Sequence, residues 1–174
     1  MLLINLFMSI RRRILINSIY RIMRKIDLMA EPLLLEHGFT LKNTTWYRAT
    51  GEVLQLINFQ KNPWGADQYY LNTALTFCSK SIKEMGRTLP KEYQCPIRFR
   101  SETLPETKHY VFVLDFEKDI PNDIREYNVL KLLAYWLSFF DDTLTRESVI
   151  NKIKTNSIDK RLIIFSFRQE HDLI

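Results

Sequence analysis

Three carboxylates alternate at Asp115, Glu117 and Asp119. On a strand they would share one side, where such a set can hold a divalent ion or divide the work of acid and base. The run also contains Lys118 and meets Ile120-Pro121, which is the composition of a solvated strand end. Arg98 and Arg100 alternate with Ile97 and Phe99, so a strand would turn both guanidinium groups to one face. That pair suits a carboxylate of this chain or of a partner. A third group is Asn58, Gln60, Trp64, Tyr70 and Asn72, placed on two stretches that read as paired strands. Its amides and phenol could form a polar patch on one sheet face, with Trp64 over it at the hairpin end. In the plainer reading Trp64 plugs the end of the core and the amides satisfy loop backbone.

Other chemistries find no matching set. The three histidines, His37, His109 and His171, are scattered, and Cys78 or Cys95 with His109 has no spacing that favours a nucleophile pair. No Cys or His cluster has metal-ligand spacing. The four glycines form no phosphate-binding fingerprint. No catalytic residue, no metal ligand and no cofactor is therefore expected. Two cysteines build no disulfide framework, and reduced thiols in a cytoplasm are the expectation, although one bridge is compatible with export.

At 174 residues and 46% hydrophobic content the chain can bury a core as one domain. The net charge of +5 is unevenly spread. Arg11, Arg12, Arg13, Arg21, Arg24 and Lys25 lie in the first 25 residues, which hold no Asp or Glu; without these six, 19 basic residues face 20 acidic ones. A neutral body argues against a nucleic-acid partner, which calls for a basic face on the body itself. It also directs Trp46, Tyr47, Tyr69 and Tyr70 toward a core or a protein-binding groove rather than base stacking. The apolar run before the Arg triplet is too short to span a bilayer, so no transmembrane segment is expected.

The elements that must position these residues follow from periodicity. Leu15, Ile19, Ile22, Ile26, Met29 and Leu33 recur at steps of four and three, which predicts a basic amphipathic helix over 11–37. Pro32 should kink or restart it, and Gly38 should cap it in the left-handed conformation, with Phe39 folding back. Strands are expected over 45–49, 52–60, 68–78, 97–100 and 110–116, and a short helix within 79–87. In the expected hairpin Gln60 lies opposite Gln68, Phe59 faces Tyr69 and Ile57 faces Leu71. Helices are expected over 123–140, buried around most of its circumference, and over 145–154 with Thr143 or Thr145 as cap. Residues 161–168 are a candidate last strand.

One ordered set of motifs carries a resemblance. Glu36-His37-Gly38-Phe39, Trp46-Tyr47-Arg48, Ile57-Asn58-Phe59-Gln60-Lys61, Trp64-Gly65 and Leu71-Asn72 together resemble a bacterial family known as domain of unknown function 4304. Cys95 to Arg100 is similar to a later family motif with a Cys and an Arg. The resemblance covers roughly residues 25 to 115 and implies no activity and no cofactor. By analogy, small α+β domains of this sort sit beside toxins, which makes toxin neutralisation an expectation.

The expected protein is one α+β domain over 1–174. Its antiparallel sheet (39–116) packs against a long N-terminal helix and a buried C-terminal helix, within a helical region over 122–154. The expected function is a non-catalytic protein-binding module, an immunity protein against a cognate bacterial toxin in its most concrete form. Asn58, Gln60, Trp64, Tyr70, Asn72, Arg98 and Arg100 are its candidate partner-binding residues. Two alternatives stand beside it: a metal-assisted enzyme built on the carboxylates, or an accessory protein attached to membrane or nucleic acid through the basic helix.

Overall fold

A computed structural model describes residues 24–64 and 67–173. The expected helix over 11–37 is therefore seen only from Lys25, as α1 (Lys25–Glu36), and its earlier turns lie outside the described residues. Its buried positions are Ile26, Asp27, Ala30 and Leu34, so the inward face is rotated from the expected Ile26-Met29-Leu33 line. Asp27 causes the rotation: it takes hydrogen bonds from the Trp46 indole (3.1 Å) and from Arg24 (2.8 Å) and is drawn inward with them. Pro32 does not restart the helix, which runs on to Glu36. Ala30 and Leu34, both fully buried, anchor the turns on either side of it. The end is as expected: Gly38 has φ +78°, its N–H bonds to Leu35 O at 3.0 Å, and Phe39 N–H returns to Leu34 O at 2.9 Å. Those two bonds are the Schellman pair, and Phe39 and Leu34 supply its apolar contact.

Five strands follow: β1 (Thr40–Lys42), β2 (Thr45–Ala49), β3 (Val53–Lys61), β4 (Tyr69–Phe77) and β5 (Ile97–Arg100). They form one antiparallel sheet in the order β1-β2-β3-β4-β5. The β3–β4 register places Gln60 opposite Tyr70, Phe59 opposite Leu71 and Asn58 opposite Asn72. Relative to the expected register, each partner lies two residues later. The cause is at the loop, where Lys61 pairs with Tyr69 and Asn62 N–H bonds to Gln68 O at 2.8 Å. An even slip leaves every side chain on its expected face.

Short helix α2 (Ile82–Met85) is capped by a reciprocal Ser81–Glu84 box. Helix α3 (Asn122–Asp141) buries seven residues, among them Trp136 and Phe140, and α4 (Arg146–Lys154) begins at Thr145, whose hydroxyl accepts from Ser148 N. A last short helix, α5 (Phe165–Glu170), ends the described chain. The fold is α+β, with a five-stranded antiparallel sheet and several helices. One buried cluster joins Trp46, Ile57, Phe59 and Leu71 of the sheet with Leu34 of α1 and Trp136 of α3. A second cluster on the other face joins Tyr47, Leu54, Leu56 and Ala74 with Met85 and Cys95. Among the described residues, no helix is long and apolar enough to cross a membrane.

Two expected strands are absent. Within 110–116, Val111–Leu114 forms a 3-10 turn, and Asp115 alone pairs, with Gln68. Adjacent Val113 and Leu114 are both fully buried, which a strand with one open face does not allow. Arg125 of α3 fixes this shape: its buried guanidinium donates to the carbonyls of Val113, Asp115 (2.8 Å) and Lys118 (2.9 Å), turning these acceptors away from any ladder. Within 161–168, only Ile163 bridges to Ile97, and α5 begins at Phe165. Here Ile163 and Phe167 are buried while Ile164 and Phe165 are exposed, a spacing of four that is helical.

Candidate functional site

Alternation along β3 sorts its side chains. Val53, Gln55, Ile57 and Phe59 turn toward the helices, and Leu54, Leu56, Asn58 and Gln60 turn to the second face. At one end of that face, residues 79–96 cover Leu54, Leu56 and Ala74. Toward the β3–β4 loop the cover ends and composition changes with it: Asn58 and Asn72 are nearly buried, Tyr70 is half-buried, and Gln60 and Arg100 are exposed.

There the polar side chains form an array of two adjoining hydrogen-bonded groups. Thr45, Asn58, Asn72 and Arg100 stand side by side on four neighbouring strands. Asn58 Nδ2 donates to Thr44 O and Thr45 Oγ1, both at 2.9 Å. Asn72 Nδ2 donates to Gln60 Oε1 at 2.8 Å. Arg100 donates from Nε to Asn72 Oδ1 and from Nη2 to Gln60 Oε1, both at 3.2 Å, with its guanidinium 4.7 Å above the Tyr70 ring. Arg98 lies on the same face, as its alternation predicts, but turns to Tyr93 O at 3.0 Å. Neither arginine is within ion-pair distance of a carboxylate among the described residues.

Trp64 stands apart. It is 90% exposed on the β3–β4 loop, so it neither plugs the core nor covers the amides. Its backbone N–H is held by Asn62 Oδ1 at 2.9 Å, a local turn bond that presents the indole outward. The structure thus joins Asn58, Gln60, Tyr70, Asn72 and Arg100, leaves Arg98 at the margin, and holds Trp64 out to solvent on the adjoining loop.

The array can hydrogen-bond and carries one unneutralised cation, but it holds no nucleophile and no general base. Elsewhere, Asp115 accepts from Glu117 N at 3.1 Å and Glu117 accepts from Asp67 N at 3.2 Å, so these carboxylates serve the local backbone. Among the described residues, no three His, Cys, Asp or Glu side chains come together as a metal site. Both cysteines are free. Burial pushes the Cys95 thiol up to about 12, which suppresses the thiolate.

Beside the array lies a cleft of about 620 Å³ that the sequence did not announce. Its floor includes Tyr47, Asn58 and Gln60; one wall is the β1–β2 turn from Lys42 to Thr45, and the other runs from Gly86 to Tyr93. The missed element is β1, only three residues long, whose turn has Asn43 at φ +56°. Asn tolerates that conformation, so Lys42-Asn43-Thr44-Thr45 is a readable turn signal. Burial raises the Tyr47 phenol above its usual value, and its hydroxyl donates to Pro90 O at 2.9 Å, tying the far wall to the floor.

Several motif residues prove to be struts. Arg48 reaches Gln55 Oε1 (2.6 Å), His37 O (3.1 Å) and Asp141 (2.8 Å), while Trp46 holds Asp27. A family model, Domain of unknown function (DUF4304), matches residues 30–166. No curated protein and no solved structure matches the chain.

Proposed function

We propose, from the premise that the chain belongs to the Domain of unknown function (DUF4304) family, that this protein is a non-catalytic module that binds another protein through the open half of its second sheet face. Its most concrete form is a cytoplasmic immunity protein that inhibits a bacterial toxin. The frame is the sheet backed by α1 and by the inward face of α3; the shared buried cluster supports that arrangement.

The observation that carries the reading is the array itself. Gln60, Asn72 and Arg100 are bonded to one another beside Asn58, which holds Thr44 and Thr45; Gln60 and Arg100 stay exposed, and among the described residues no carboxylate lies within ion-pair distance of Arg100. Amides ordered in this way offer donors and acceptors to a partner's backbone at little entropic cost. Arg100 spends Nε and one Nη2 hydrogen on Asn72 and Gln60, which leaves the Nη1/Nη2 end of the guanidinium for a carboxylate, and its stacking on Tyr70 restricts its orientation. Trp64 adds an apolar anchor of the type that dominates interface energetics. Occluding a toxin's active site by this face needs no chemistry from the module.

Co-expression with the product of the adjacent gene, followed by affinity capture, tests the reading. A stable complex is expected, and Trp64→Ala or Arg100→Ala should weaken it by about thirtyfold, the loss typical of a central anchor. A complex indifferent to both substitutions, or turnover of a small molecule by a chain that finds no partner, refutes it.

A further inference from the structure

We infer that the cleft beside the array is a docking groove for an acidic, extended segment of a protein partner; this rests on the binding-module reading and names the partner's chemistry. Five cations line the cleft, Arg24, Lys42, Lys61, Arg87 and Lys91, against one carboxylate, Glu92. Arg24 is neutralised by Asp27, and Lys61 faces Asp67 at 3.8 Å. Lys42, Arg87 and Lys91 are exposed and have no carboxylate within ion-pair distance among the described residues. A chain whose body is neutral by count thus concentrates unpaired positive charge on the walls of one cleft.

The placement of the charge selects the ligand. Lys42 stands on one wall and Arg87 and Lys91 on the other, so the cations serve a row of carboxylates rather than one small anion. Between them the floor offers the exposed amide of Gln60, a group that bonds a peptide backbone, while Asn58 is nearly buried and spent on Thr44 and Thr45. A polynucleotide would want a run of aromatic platforms. The floor's Tyr47 is buried with its hydroxyl committed, and Tyr93 is the one exposed aromatic of the lining, with Lys91 Nζ 5.7 Å from its ring centre. Gln60 belongs to both surfaces, so a segment in the groove continues onto the array, where Arg100 receives a further carboxylate.

The probe is a fluorescein-labelled octapeptide alternating Glu and Val, read by anisotropy against the full chain. The matching Lys–Val octapeptide and a labelled dT8 strand serve as comparisons. Saturable binding of the Glu–Val peptide is expected, weakening as salt is raised. Combined Lys42→Ala, Arg87→Ala and Lys91→Ala should weaken it by about tenfold, because exposed pairs contribute modestly one by one. Glu92→Gln removes the cleft's carboxylate and should tighten binding, which keeps the inference falsifiable even if the triple variant fails to fold. Absence of saturable binding overturns the inference. So does affinity unchanged in a folded triple variant, which would place the peptide on the N-terminal arginines. Tighter binding of dT8 than of the peptide overturns it in favour of nucleic acid. Trp64→Ala leaves the cleft lining intact. A chain that captures its partner through Trp64 yet ignores the peptide overturns the groove alone, whereas peptide binding at the groove with no partner for Trp64 overturns the module reading alone.

Discussion

Gln55 is fully buried on β3, and its substitution tests whether the signature strand is a structural strut. Its Nε2 donates to Phe140 O at 2.8 Å and Thr143 O at 3.1 Å, closing the C-terminus of α3. Its Oε1 accepts from Arg48 Nε at 2.6 Å. In Gln55→Leu, a change that nearly conserves volume, the three bonds are lost unequally. Phe140 O keeps the N–H of Thr143 at 3.0 Å and its hydroxyl at 3.2 Å, so its loss is about 1 kcal/mol or less. Thr143 O keeps no other donor among the described residues and costs about 1–3 kcal/mol as a buried orphan. Arg48 keeps Asp141 and His37 O, so the loss at Nε is about 1 kcal/mol. The sum is about 3 kcal/mol, which in a chain of 174 residues lowers Tm by about 6–12 °C. Urea unfolding should show the midpoint fall with the m-value unchanged. Gln55→Glu keeps the acceptor for Arg48 but turns oxygen toward both carbonyls, so it should be at least as destabilised. A Gln55→Leu variant within 1 kcal/mol of wild type refutes the strut.

Three further outcomes follow from other buried polar groups. Arg125→Met strips donors from Val113, Asp115 and Lys118, and should cost about 3 kcal/mol and speed amide exchange over 111–118; exchange unchanged there counts against Arg125 as the organiser of that turn. Native protein should give one reacting thiol with Ellman's reagent near pH 8, Cys78, and a second only on unfolding, since Cys95 is buried and its burial pushes the thiol up to about 12. Because that folded value lies above the ordinary thiol value of 9.0, the stability it confers is full below 9.0 and fades as pH rises toward 12; equal native reactivity of the two thiols would contradict this. Burial likewise raises the half-buried Glu102 carboxyl, whose Oε2 has no hydrogen-bond partner among the described residues. A raised carboxyl stabilises the fold below its unfolded value of 4.5 and loses that contribution as pH rises through the folded value. Glu102→Gln should therefore raise Tm at neutral pH and give no gain in acid below 4.5, and a gain of equal size at both pH values would refute the assignment.

Period-two alternation made β3, β4 and β5 legible, including which of their side chains face outward. It survived a register error because the slip was even. Asn58, Gln60, Tyr70 and Asn72 were thus readable as one face, and Arg98 with Arg100 as another; the β4–β5 pairing of Asn72 with Arg100 makes the two one. What defeated sequence reading were segments shaped by a distant partner. Residues 111–114 look β-prone, yet Arg125 on α3 gathers their carbonyls into a turn. Residues 161–168 look like a strand, yet β5 offers them a single bridge and the Phe77 ring packs against Phe167 at 5.3 Å instead. Trp64, a candidate for partner binding, was expected as a cover for the amides or a plug for the core, since large aromatics are usually drawn inward; it is instead exposed beside a turn bond to Asn62.

The cleft was hidden by an averaging error. Balanced counts of Lys, Arg, Asp and Glu say nothing about where side chains meet, and here the fold segregates them. Lys42 arrives on a three-residue strand, Arg87 at the end of the stretch that reads as a short helix, Lys91 just beyond it, and Lys61 at the end of β3. Three separate stretches of sequence converge on one surface because the β1–β2 turn and residues 79–96 flank the same sheet face. Asp115, Glu117 and Asp119 are meanwhile gathered between β5 and α3, in the stretch that Arg125 organises, and Asp123 follows in the first turn of α3. Coulombic steering responds to that local imbalance and not to the net charge of the chain. An acidic partner is therefore compatible with the neutral body that argues against nucleic acid, because a short groove needs only a few unpaired cations and a polynucleotide needs a continuous basic face.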